Sequence, residues 1–255
     1  MTVACAAAAA AAAVAGLTLA TRQTPEQPQA RKERPPFVFD RPTPAEGAIK
    51  AAFRAWPHGT LERMERLGKR YPRDAVVQFH LGLARLYSGY NDEAAAALRA
   101  AKRLGRDTWY EIRADNILHP QYFSRGYPIF EPTRPNPLLE RGVRLQRQGR
   151  QHSAERVYRR AARLAPGDDE AQVAAAVGRF DMDRLSASFS RLGPLTRRFP
   201  RSQSVRFHLG LMLAWTGQRD AAVAQFRRAR ALGARTTLGR EANTFLSRLV
   251  EDGTK

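Results

Sequence analysis

Cysteine is almost absent from this sequence, since its 255 residues contain only one, Cys5. A single cysteine excludes an internal disulfide framework and any zinc or iron–sulfur site that needs several cysteine ligands. Lysine is also scarce, because it supplies only five of the 43 basic side chains, and arginine carries most of the net charge of +19. This bias towards arginine and alanine is typical of a GC-rich genome, so part of the charge is consistent with codon usage.

The sequence also lacks the motifs of common catalytic and cofactor sites. It contains no GxxxxGK[ST] phosphate loop, no GxGxxG between a strand and a helix, and no HExxH. The acidic run 168–170 follows Pro166-Gly167 at a predicted helix start, where carboxylates satisfy free backbone N–H groups. We therefore predict a protein that is not an enzyme and has no catalytic residue, no metal site, no cofactor and no small-molecule substrate.

Long uncharged runs are lacking except near the first residue, where residues 3–20 carry no charge. Because 18 residues are just enough to span a bilayer, we predict a single-pass anchor in residues 1–20 and a place at the cell membrane, on a side that the sequence leaves open. A cleaved signal peptide, giving a secreted or periplasmic protein, and a disordered alanine tract are the alternatives. Residues 21–42 are rich in proline and are interpreted as an extended linker.

The strongest positive signal is an internal repeat. Residues 67–108 align without gaps with residues 195–236, and 19 of the 42 positions are identical. The clearest block, Phe-His-Leu-Gly-Leu, occupies 79–83 and again 207–211. A shorter period of 34 residues lies inside this one, and each 34-residue unit contains two apolar stripes at helical spacing, separated by a glycine.

This pattern resembles the tetratricopeptide repeat (TPR) family, with a small residue at position 8, glycine near 15, alanine at 20, an aromatic or leucine at 24 and proline at 32. The matching units are 41–74, 75–108, 135–168, 169–202 and 203–236. The resemblance is weakest in the first of these. It implies an all-α fold, an α-solenoid of antiparallel helix pairs that stack side by side.

The repeat also divides the chain into two related halves, 43–118 and 138–251, each ending in a capping helix. Between them, residues 119–137 form a connector that is rich in proline and aromatic residues. Its aromatic side chains predict an ordered strap that lies across helices, and a recognition loop is the alternative.

Two surfaces are candidates for function. The resemblance implies that the first helix of each pair lines a concave groove for an extended peptide. In this chain the groove positions are apolar and aromatic: Phe79, Leu83, Tyr87, Phe207, Leu211 and Trp215. We therefore predict a membrane-tethered, non-enzymatic scaffold that binds a partner protein or peptide in an apolar groove. The alternative is that these residues pack against the capping helices or against the connector 119–137 of the same chain.

The second surface is the convex face, where the second helices carry arginines. The candidates are Arg156, Arg159, Arg160, Arg163, Arg227 and Arg228. The default interpretation of these arginines is a solvated helix face. The functional alternative is a polyanion binder, whose partner is an anionic membrane surface or, less favoured because no recognised module is present, a nucleic acid.

Overall fold

All regular structure in the described part of the chain is helical. A computed structural model describes residues 30–121 and 126–251, in which there are twelve helices and no strand. The helices are α1 (Glu46–Arg54), α2 (Thr60–Arg70), α3 (Ala75–Tyr87), α4 (Asn91–Leu104), α5 (Trp109–Leu118), α6 (Pro137–Arg147), α7 (Gln151–Leu164), α8 (Asp169–Val177), α9 (Leu185–Arg198), α10 (Gln203–Trp215), α11 (Arg219–Leu232) and α12 (Thr237–Glu251). Consecutive helices pack as pairs, which confirms the predicted all-α class and the solenoid arrangement.

Local sequence signals explain where several helices begin and turn. The Asp74 carboxylate accepts hydrogen bonds from two backbone N–H groups of the first turn of α3, and Ser202 caps α10 in the same way. Asp168 caps α8, which confirms the predicted capping role for this residue of the acidic run, whereas Asp169 accepts from the Ser202 hydroxyl and Glu170 from the backbone N–H groups of residues 133 and 134. Gly89 and Gly217, with φ of 84° and 74°, make the turns after α3 and α10, since other residues rarely adopt positive φ.

Small residues allow the paired helices to approach closely, as the repeat pattern predicts. A Cβ atom on Gly142 of α6 would lie 2.0 Å from the ring of Tyr158 in α7. Tyr158 is fully buried and also approaches Gly178, which follows α8. One tyrosine thus fills the space between two neighbouring pairs, and any side chain at position 142 would displace it.

The described chain contains two hydrophobic cores. One lies within α1–α5, which we call the N-terminal half, and the other within α6–α12, the C-terminal half. The repeat relates α1–α5 to α8–α12, because the units 41–74 and 169–202 begin 128 residues apart, as do the two FHLGL blocks. The pair α6–α7 is therefore an addition that the described N-terminal half does not have.

The two halves meet through polar contacts. Asp107, just before α5, accepts hydrogen bonds from the backbone N–H and the hydroxyl of Ser153 in α7, at 2.9 and 2.7 Å. Burial alone would raise the pKa of Asp107, but the Ser153 hydrogen bonds, together with the charges of His152 and Arg156, hold that pKa below its usual value. His152 lies 2.6 Å from Glu111 across the same boundary. These hydrogen bonds and this ion pair therefore help to fix the orientation of one half relative to the other.

The predicted membrane anchor is wrong for the part of the chain that the structure describes. No helix within residues 30–121 or 126–251 has both the length and the apolar character needed to cross a bilayer. The segment to which the anchor was assigned, residues 1–20, lies outside the described residues.

Candidate functional site

The six predicted groove residues lie on α3 and α10, but most of them are covered. Phe79 and Leu83 are each 4% exposed, and Phe207 and Leu211 are 2% and 4% exposed. The last groove residue of each helix, Tyr87 or Trp215, is partly exposed. Neighbouring helices contact the two groove phenylalanines: Phe79 packs on Tyr110 of α5, and Phe207 packs on Phe226 of α11 and Phe245 of α12. Two extended segments lie on other residues of α3 and α10: the N-terminal strap, residues 30–44, and the connector strap, residues 126–136.

The N-terminal strap lies along the N-terminal half through aromatic contacts. The ring of Phe39 stacks on the ring of His80 at 5.1 Å, and Phe37 packs on Phe53. The Tyr110 hydroxyl donates to the backbone carbonyl of Val38 at 2.9 Å. The last residues of the segment interpreted as a linker thus pack on the fold, because their aromatic side chains bury apolar surface there.

The connector strap lies in the same way on the C-terminal half. The ring of Phe130 stacks on His208 at 4.8 Å and meets Tyr158 edge-on at 5.7 Å. Its backbone N–H donates to Gln146 Oε1 at 3.0 Å, and the Trp215 indole N–H donates to the carbonyl of Gly126 at 3.1 Å. The described part of the connector is therefore an ordered segment lying across helices.

The two repeat-related histidines lie beneath the straps. Both are fully buried, and burial lowers the pKa of each to about 4, so both rings are neutral at pH 7. Each Nδ1–H donates to the carbonyl four residues earlier, Val76 for His80 and Ser204 for His208. Each Nε2 is then an acceptor.

Beside the connector strap, a cavity of about 520 Å³ lies between α5 of the N-terminal half and the C-terminal half. Its walls come from α5, α10, α12 and the strap. Apolar side chains that line it include Trp109, Ile129, Phe207, Leu211, Trp215 and Phe245. Three of the predicted groove residues, Phe207, Leu211 and Trp215, thus meet at a real opening, whereas Phe79, Leu83 and Tyr87 do not line it.

The charge of the cavity is opposite to that of the whole chain. Glu131 and Glu241 line it, and no described lysine or arginine does, in a sequence with 43 basic and 24 acidic residues. Burial raises the pKa of Glu131, which Arg147 at 3.6 Å partly offsets and Glu241 reinforces. The cavity therefore offers apolar walls with a carboxylate rim, which favours an apolar group beside a positive charge and disfavours an anion.

The arginines of the predicted convex surface are exposed, as expected for the outer face of α7 and α11. Arg156 pairs with Asp107 at 3.6 Å, and Arg159 lies 3.9 Å from Glu155. In the described ranges, no acidic side chain forms an ion pair with the other four, Arg160, Arg163, Arg227 and Arg228.

One cluster of titratable groups has the composition of a metal site. Asp115, His119 and Asp183 bring their ligand atoms within 4.8 Å of one another at the boundary between the halves. Lys102 Nζ lies between the two carboxylates, 2.6 Å from Asp115 and 2.7 Å from Asp183. Burial would lower the pKa of Lys102, but these hydrogen bonds raise it, so its ammonium group already neutralises the site that a metal would need. We assign the cluster to the joint between the halves.

Sequence reasoning missed the N-terminal strap. It also missed the role of the two histidines, each of which lies beneath the phenylalanine of one strap. A signal was present, because Val38-Phe39-Asp40 and Ile129-Phe130-Glu131 share the order aliphatic, phenylalanine, acidic, each shortly before a proline. The two segments are 91 residues apart, whereas the histidines beneath them are 128 apart, so the repeat alignment does not bring them together.

Comparisons with known proteins add no relative. No model of a known protein family matches the chain, and a search of curated proteins finds no significant match.

Proposed function

We propose that this protein is a non-enzymatic interaction scaffold. An apolar side chain of a partner peptide enters the cavity beside the connector strap, between α5 and the C-terminal half. The observation that carries the proposal is the cavity itself, which combines an aromatic wall with two carboxylates in a strongly basic protein. Membership of the TPR family is part of the proposal and is supported by the small residues at the repeat positions.

Two further features support a peptide as the occupant. The volume of about 520 Å³ lies within the range of ligand pockets, which is roughly 300–1,000 Å³. The connector strap shows that the adjoining surface already binds extended backbone, since Gln146 and Trp215 hydrogen-bond to main-chain groups of the strap. The partner side chain is apolar or aromatic, and a basic residue next to it pairs with Glu241.

Binding of short peptides to the full chain tests this proposal. The probes are octapeptides with a central tryptophan or leucine, flanked either by arginines or by glutamates, and binding is measured by calorimetry. We expect the arginine-flanked peptides to bind more tightly, and Trp215→Ala to weaken binding at least about tenfold because it removes a wall of the cavity. Glu241→Gln should reduce the preference for arginine without abolishing binding.

A matched control is Trp56→Ala, which removes a tryptophan of the N-terminal half that does not line the cavity. It should leave the affinity unchanged, and circular dichroism should show the same helix content in all variants. The proposal fails if no peptide of the panel binds, or if Trp215→Ala binds as tightly as the unmodified protein.

The exposed arginines favour a second candidate function, the binding of a polyanion by the convex face. Arg160, Arg163, Arg227 and Arg228 have no acidic partner among the described residues, so they remain available to phosphate groups. Binding of vesicles with anionic lipids, or of single-stranded RNA, should weaken steeply as salt rises, and substitution of these four arginines by glutamine should remove it. An affinity that does not change with salt would exclude this function.

A further inference from the structure

The N-terminal strap and the connector strap follow the same binding mode. In each, a phenylalanine stacks on a repeat-related histidine, Phe39 on His80 and Phe130 on His208. An acidic residue follows directly, and it forms an ion pair with an arginine on a helix of the same half. These pairs are Asp40 with Arg113, and Glu131 with Arg147.

The straps differ in how completely they are bound. Phe130 is fully buried, whereas Phe39 is partly exposed, because the N-terminal half has no described counterpart of the α6–α7 pair that covers Phe130. The backbone N–H of Glu131 donates to His208 Nε2 at 2.9 Å. His80 Nε2 is equally buried but has no hydrogen-bond partner among the described residues.

The straps also differ in how they are joined to the fold. The connector strap runs between α5 and α6, so both of its ends are fixed by packed helices. The N-terminal strap is joined to a described helix only at its carboxyl end, where α1 begins. Among the described elements, no helix has to move for it to leave its groove, whereas the connector strap lies between two described helices.

We infer that the N-terminal strap is an exchangeable internal ligand, and that its groove on α3 binds a partner segment of the same chemistry in its place. The partner segment is extended and carries an aliphatic residue, a phenylalanine and an acidic residue in that order. Its phenylalanine stacks on His80, its acidic side chain pairs with Arg113, and the N–H of its acidic residue supplies the hydrogen bond that His80 Nε2 lacks. Phe39, His80 and Arg113 do not line the proposed cavity, so this site does not rest on it.

Competition between the strap and a synthetic peptide tests the inference. The probe is the peptide Tyr-Pro-Ile-Phe-Glu-Pro-Thr-Arg-Pro, the sequence of residues 127–135, titrated into the full chain at about 150 mM salt to screen non-specific charge effects. We expect Phe39→Ala to bind it at least about tenfold more tightly than the unmodified protein, because the competing strap no longer fills the ring site. A peptide with alanine in place of phenylalanine should not bind.

A second variant keeps the test independent of the apolar contacts. Asp40→Ala breaks the ion pair of the strap with Arg113 at an exposed position and leaves Arg113 free for the glutamate of the peptide. It should also strengthen binding, and a peptide with lysine in place of glutamate should lose that gain. His80→Leu removes both the stacking partner and the acceptor, and it should abolish binding.

The outcomes separate this inference from the proposed function. Trp215→Ala alters the cavity and should leave binding of this peptide unchanged, so a loss of binding in that variant would place the peptide in the C-terminal half and overturn the inference. Equal affinity for the unmodified protein, Phe39→Ala and Asp40→Ala would also overturn it. So would exchange of straps between two copies, seen as a concentration-dependent dimer of the unmodified protein that the peptide does not dissociate.

Discussion

The N-terminal and C-terminal halves use the same helices and the same histidine to bind an extended segment, yet they bind it to different degrees. In the C-terminal half, Phe130 is fully buried, and both ring nitrogens of His208 have a hydrogen-bond partner. In the N-terminal half, Phe39 is partly exposed and His80 Nε2 has no described partner. The burial of Phe130 comes from one extra helix pair, α6–α7, which contacts it through Gln146 and Tyr158. The difference at the histidine arises because the N–H of Asp40, the counterpart of Glu131, donates to the Tyr110 hydroxyl at 3.3 Å.

This comparison shows how a repeat protein can give equivalent positions different roles. The repeat places the same residue pair on the helix beneath each strap: Phe79 and His80 in the N-terminal half, and Phe207 and His208 in the C-terminal half. The neighbouring elements then decide whether the strap on that helix is a permanent part of the core or a weakly bound segment. We therefore assign a structural role to the connector strap and a regulatory role to the N-terminal strap.

The largest difference between the halves should appear when the stacked phenylalanines are truncated. Phe130→Ala removes a fully buried ring and should lower the free energy of unfolding by about 4 kcal/mol, as large-to-small substitutions in cores do. Phe39→Ala should cost roughly 1–2 kcal/mol, because its ring is partly exposed and less apolar area is lost. Urea denaturation followed by circular dichroism measures both, and equal losses would show that the two straps are bound alike.

The next effect is a dependence of stability on pH that the two histidines share. Burial lowers the folded-state pKa of His80 and His208 to about 4, below the unfolded value of 6.5. The folded state then binds fewer protons than the unfolded state between these values, so stability is complete above pH 6.5 and falls as the pH drops towards 4. Each histidine should account for about 3 kcal/mol of that loss at pH 4.

Leucine substitutions measure these contributions. Carboxylates also titrate in this range, so the quantity to compare is the difference between the unmodified protein and His80→Leu or His208→Leu at pH 7 and pH 4. Each variant should lose less stability on acidification than the unmodified protein. At pH 7, His208→Leu should be the more destabilised of the two, since it leaves the N–H of Glu131 without its acceptor. An unchanged pH dependence in both variants would contradict the buried, neutral state of these rings.

The smallest of the three effects concerns a basic residue that occupies the same repeat position in both halves. Lys102 in α4 and Arg230 in α11 are 128 residues apart. Lys102 joins buried Asp115 to Asp183 of the C-terminal half, whereas Arg230 is exposed. Lys102→Met should cost about 2 kcal/mol because it leaves a buried carboxylate without its cation, and Arg230→Met should change stability by less than about 0.5 kcal/mol.

Thermal unfolding of the two methionine variants compares them directly. Tyr127 still donates to Asp115 after the substitution, which keeps the loss below that of a fully isolated buried charge. If both variants unfold like the original protein, the joint between the halves does not depend on this ion pair.

Much of the helical scaffold could be predicted from the sequence, because its signals are local and repeat in phase. The glycines at 89 and 217, the small residue at 142 and the cap at 168 each act within one helix pair. The predicted membrane anchor was wrong for the described residues. The predicted groove was largely covered, and the sequence could not show this because no local pattern reveals which distant segment will lie on a helix.

The sequence by itself determined the helix pairs, their number in each half and the apolar character of the residues on α3 and α10. Those features depend on periodicity and on residue size, which neighbouring residues along the chain express. Only the tertiary structure decided that two extended segments cover these helices, that one of them is fully enclosed, and that a cavity with a carboxylate rim remains beside it. These outcomes depend on contacts between residues up to 89 positions apart, such as Gly126 and Trp215. They also depend on whether each strap buries enough apolar area to offset the conformational entropy that it loses when it becomes ordered.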